Sequence, residues 1–82
     1  MKEEMKNDDE ERNFILAKLF LKEKKIVHVQ KKDGFFYNGY IIEISPDFFF
    51  MVDRELGKQL VFFRELIKPI SEFKFRGVGD GK

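Results

Sequence analysis

The 82-residue chain contains no cysteine, so no disulfide can staple it. A single histidine and no cysteine also exclude an ordinary structural zinc site, which needs several nitrogen or sulfur ligands. Threonine is absent, and serine occurs only at Ser45 and Ser71. Neither serine has a histidine and a carboxylate near it in sequence, so the local setting of a nucleophilic hydroxyl is missing. An excess of one charge is lacking too: 16 basic residues balance 15 acidic ones, for a net charge of +1. Binding duplex DNA through overall charge requires a strongly basic domain, which excludes that class but leaves room for a local basic patch. No apolar run approaches the ~20 residues that cross a bilayer. The opening "MKEEMKNDDEE" has no apolar segment and does not read as a secretory signal. These absences lead us to expect a cytoplasmic protein with no membrane partner, no metal and no other cofactor. A chain this short forms one domain, and small domains lean on disulfides, metals or self-association. With the first two removed, self-association is the expected aid.

What the chain does have is aromatic side chains. Residues 31 to 53 hold five of the eleven phenylalanines and both tyrosines. "NDDEERNFILAKLFLKEKK" reads as a helix over 8–22. Asn7 or Asp8 caps its start, acids fill its first turn and lysines its end, as the helix dipole favours. Phe14, Ala17 and Leu21 share one face and Leu16, Leu19 and Phe20 another, leaving a narrow polar strip through Lys18 and Lys22. A helix so widely apolar needs more than one partner surface. After it the period changes to two, and five short strands are predicted near 25–32, 35–45, 48–55, 58–65 and 66–71. Asp33-Gly34 is a strong hairpin signal. Gly39, inside a strand, is expected to mark a bend or a close backbone approach. Pro69 marks an edge. The predicted domain runs over 8–73, between a charged flexible end (1–7) and a glycine-rich tail (74–82). The fold class expected is mainly β: an N-terminal helix followed by a five-stranded, strongly bent antiparallel SH3-like barrel. Its core is expected to contain most of the aromatics, with Phe48 and Phe50 inside and Phe49 on the opposite face.

From about Leu16 to Ile70 the chain resembles the Sm-like (LSm) family. The matching residues are Val27 and Val29, Gly34, "YNGYI" with Tyr37, Gly39 and Ile41, then the apolar positions Ile44, Phe48, Phe50 and Val52. "VFFRELIKPI" places Arg64 at the family's arginine. The resemblance implies a ring of identical subunits, a hexamer or heptamer, that binds single-stranded RNA and has no catalytic residue. The positions it assigns to RNA are Ser45, Asp47, Phe49, Arg64 and Glu65. Of these, Ser45 stands where the family has a uridine-contacting aspartate, Phe49 where it has asparagine, Asp47 at the base-stacking position and Glu65 in place of glycine. The subunit contacts it implies are Leu60, Phe62, Phe63, Leu66, Ile67 and Ile70.

Beside the resemblance, the residues themselves leave two classes open. An enzyme is not expected, since His28 lies on an alternating strand and Glu43, Asp47, Asp53 and Glu55 are scattered over strand ends. Asp47 and Asp53 alone are too few oxygen ligands for a hard cation. One class is an RNA-binding ring in which bases stack on Phe49, Phe48 or Arg64, helped by the interleaved Phe73, Lys74, Phe75 and Arg76. The other is an oligomeric protein-interaction module that binds a protein partner and never meets RNA.

Overall fold

The computed structural model describes residues 8–74. The charged end (1–7) and Phe75 and Arg76 of the tail lie outside the described residues. Helix α1 spans Asp8–Glu23, with four acids in its first turn. It ends on Lys24, whose φ of 57° is left-handed. Lys24 N donates to Leu21 O and Lys25 N to Phe20 O, both at 3.1 Å, which satisfies carbonyls the helix leaves open.

Five antiparallel strands follow: β1 (Ile26–Gln30), β2 (Phe36–Ile44), β3 (Phe48–Asp53), β4 (Gly57–Phe62) and β5 (Ser71–Glu72). Their order in the sheet is β4-β3-β2-β1-β5, and the sheet does not close, because β4 and β5 do not pair. The expected mainly-β architecture, helix first and five antiparallel strands after it, is present. Two boundaries differ. The fourth strand stops at Phe62, and Phe63–Glu65 turn into a short 3-10 helix, η1. Here Glu65 Oε1 accepts from Phe62 N at 3.3 Å and Leu66 N donates to Phe63 O at 3.2 Å. The fifth strand is split. Leu66 bridges Lys31, and Ile67 N donates to Gln30 O at 2.9 Å. The chain then leaves the edge around Pro69, which has no N–H to give, and rejoins β1 at Ser71 and Glu72.

Alternation decides which side chains are inside. Val27 and Val29 of β1, Tyr37 and Ile41 of β2, Phe49 and Met51 of β3 and Val61 of β4 form the core, with Phe63, Leu66, Ile70 and Ala17. Phe49 is fully buried, whereas Phe48 and Phe50 lie on the outer face, half-buried. That reverses the expected sides of β3. Its inward series is Phe49, Met51 and Asp53, and the aspartate at the end disguises it as the solvent face. The aromatics are also fewer inside than expected. Phe36 and Tyr40 are exposed, and the buried rings are those of Tyr37, Phe49 and Phe63. The Phe49 and Phe63 ring centroids are 5.2 Å apart, and Phe14 meets Phe63 edge-on at 5.8 Å. Fully enclosing each such ring contributes ~1.5–3 kcal/mol.

Gly39 makes a close approach. It sits opposite Asp53 of β3 and Val27 of β1. A Cβ there would overlap the Val52 carbonyl oxygen and fall 2.7 Å from its carbon. The irregularity in β2 comes later, as a register shift between Ile41 and Glu43. Helix α1 covers one side of the sheet: Phe14, Leu16, Phe20 and Leu21 pack on the core, while Ile15 and Leu19 remain exposed. Buried Asn13 anchors the helix, its Oδ1 accepting from Ile70 N at 2.8 Å. No helix among the described residues is long and apolar enough to cross a membrane.

Candidate nucleic-acid interface

The turn after β2 and the end of β4 meet. Ser45 N donates to Phe48 O at 2.8 Å and closes the turn, and Phe63 N donates to the Asp47 carbonyl at 3.0 Å. Ser45, Asp47, Arg64 and Glu65, though 20 residues apart in two groups, therefore sit around η1. Asp47 and Arg64 are exposed, and Ser45 and Glu65 are half-buried. Phe49 does not join them as a ligand-facing ring. Its side chain points into the core and is out of reach of any base. Glu65 bonds back to Phe62 N, so its carboxylate holds the 3-10 turn.

On the other side of η1, Lys32 N donates to Glu65 O at 2.8 Å. This draws the β1–β2 hairpin against Arg64. Lys31, Lys32, Asp33, Arg64 and Glu65 line a shallow cleft of about 270 Å³. Three cations face two carboxylates there. Lys31 Nζ lies 3.8 Å from Asp33 Oδ2 and 5.5 Å from the Tyr37 ring centroid. The Arg64 guanidinium lies 4.5 Å above the Phe62 ring, which orients its plane. Lys31 and Lys32 went unremarked as site residues in the sequence. The signal was there in "KKDG", a basic pair on a hairpin, but only the pairing of Lys31 with Leu66 brings it to the arginine.

The implied subunit contacts divide by burial. Leu60 (43% exposed) and Ile67 (56%) lie on the surface, and Phe62 is half-buried. Phe63, Leu66 and Ile70 face the chain's own core, which removes them from any contact with a neighbour. Their burial follows from η1, which rotates the chain inward where a continuing strand would have alternated.

The carboxylate of Asp53 has a structural task. Its Oδ1 accepts from Asn38 N at 2.9 Å, and its Oδ2 accepts from Glu55 N and Leu56 N at 2.8 and 2.9 Å. Burial alone would raise its pKa. The three backbone donors and the neighbouring Arg54 charge outweigh that and hold it below the usual carboxylate value. His28 is similarly engaged: its Nδ1 lies 2.6 Å from Asn38 Oδ1, and its ring leans on Phe36. Among the described residues no three histidine or carboxylate side chains converge as a metal site would need.

No protein-family model matches the chain, and no curated protein matches it.

Proposed function

We propose that the chain is a non-catalytic, self-assembling Sm-like module, in rings of six or seven copies, that binds single-stranded RNA beside η1. The observation that carries this reading is the basic cleft, in which Arg64 stands with Lys31 and Lys32 from a separate hairpin. Arg64 offers a planar cation for a base or a fork for phosphate, and the two lysines offer point charges for the backbone. Self-assembly is supported by the open sheet, since β4 pairs only with β3 and β5 only with β1, and by Leu60 exposed on β4. An unpaired strand edge is a template for another chain. Repeating a weak site around a ring raises its avidity without a new contact. The cysteine-free composition suits a reducing, cytoplasmic setting.

A second reading, an oligomeric protein-interaction module without RNA, is favoured by the outer face of the sheet. There Tyr40, Ile42 and Leu60 are exposed, beside half-buried Phe48, Phe50 and Phe62. Fluorescence anisotropy with short uridine-rich and adenine-rich RNAs separates the two. RNA binding should weaken with salt, with a logarithmic slope of about −2 for three phosphate contacts on a single strand. Replacing Lys31, Lys32 and Arg64 together by alanine should abolish both binding and slope. No binding at low salt, with self-association intact, would leave the second reading standing alone.

A further inference from the structure

We propose that the cleft between the tips of the β1–β2 and β3–β4 hairpins is a nucleobase pocket, separate from the basic cleft at η1. Two hairpin tips that are distant in sequence are each tied down by an aspartate. Asp33 Oδ1 accepts from Phe35 N at 2.9 Å, with Gly34 at φ 97° in the turn. Asp53 holds the backbone N–H groups of Glu55 and Leu56, and Arg54 N donates to Asn38 O at 2.8 Å. These fixed turns hold Phe35, Phe36 and Leu56 out in solvent, at 66%, 56% and 64% exposure. The cleft they border measures about 470 Å³. That falls within the roughly 300–1,000 Å³ typical of small-molecule sites.

The lining selects the class of ligand. Phe35, Phe36 and Leu56 supply flat and apolar walls, and Asn38, Arg54 and Glu55 supply polar groups beside them. Asn38 Oδ1 is engaged with His28, which leaves its amide nitrogen as a donor. An amide donor, a guanidinium and a carboxylate together match the mixed donor and acceptor edge of a heteroaromatic ring, and the two phenylalanines match its face. The opposite charges of Arg54 and Glu55 cancel, so the pocket suits an uncharged base better than a phosphate. A purely aliphatic ligand would strand the polar groups. The pocket deepens the RNA reading, on which it rests for the source of the base, by supplying the base contacts that the basic cleft lacks.

The test uses uncharged nucleosides, adenosine and uridine, titrated into the full ¹⁵N-labelled chain and followed by NMR. The expected result is saturable shifts of the 34–38 and 54–56 amides. A Phe35→Ala, Phe36→Ala double variant should bind roughly 5- to 100-fold more weakly, the range for losing a base–ring stack. Both rings are exposed, so this variant should keep the parent's unfolding midpoint. The variant lacking Lys31, Lys32 and Arg64 should bind nucleosides as the parent does. Absent or misplaced shifts, in a protein that still binds RNA with salt dependence, overturn the pocket and leave the RNA reading intact. Loss of both nucleoside and RNA binding overturns both. Nucleoside binding without RNA binding keeps the pocket and removes the RNA reading. Unchanged nucleoside affinity in the double variant, with a smaller oligomer, makes the two rings a subunit contact and overturns the pocket.

Discussion

At the scale of single residues, Asp53 ties the β3–β4 turn to β2 through three backbone donors. Its carboxyl titrates below the model value of 3.8 in the folded chain. A depressed folded pKa means that the anion contributes stability above the unfolded pKa, and that the contribution is lost as pH falls through the folded value. Chemical denaturation at a series of pH values should therefore show stability falling as the medium is acidified from about pH 5 toward pH 2. Asp53→Asn should lose about 1–3 kcal/mol at neutral pH, the cost of leaving a buried donor unpaired. The gap between variant and parent should narrow in acid. A constant gap across that window would remove the ionised carboxylate from the account. In the sequence Asp53 reads as a turn or solvent-facing acid, because alternation reports which residues share a face but not which face is wet.

At the scale of elements, the pairing of β2 with β3 depends on Gly39 having no side chain. Gly39→Val should drive a branched carbon into the Val52 carbonyl, a backbone atom that cannot rotate away. The cost should reach or exceed the ~3 kcal/mol upper range of ordinary overpacking. Against a total stability of ~5–15 kcal/mol, that leaves little folded protein. Circular dichroism melting checks it, and a midpoint equal to the parent's would disprove the close approach. The helix and the five strands were legible from hydrophobic period, the acidic start of α1 and the Asp33-Gly34 turn. The glycine signal was read correctly as a demand of the backbone, although the demand comes from a neighbouring strand while the register shift lies further on. The end of β4 was not legible. "FFRE" continues an apolar run, and only the Glu65 carboxylate reaching back to Phe62 N turns it into η1. That one error carried Phe63, Leu66 and Ile70 to the wrong side.

At the scale of the whole molecule, an open five-stranded sheet with nine large hydrophobic side chains exposed is more than an isolated small domain usually shows to water. Sedimentation or native mass measurement should give a closed oligomer of six or seven copies, and Leu60→Lys, on the outer edge of β4, should reduce it toward monomer. A monomeric parent at micromolar concentration would remove the ring. The candidate interface was only half legible. Arg64, Ser45 and Asp47 could be picked out along the chain, whereas Lys31 and Lys32 join Arg64 only through a bridge between segments 35 residues apart. The bond from Ile70 N to Asn13 has a bearing on how the chain is made. The two residues are separated by 57 positions, and α1 has its buried amide unmatched until residue 70 is free to reach it. A nascent chain with that stretch still in the ribosome's tunnel would hold its first helix undocked over raw sheet, so the final closure belongs to the moments after most of the domain has emerged.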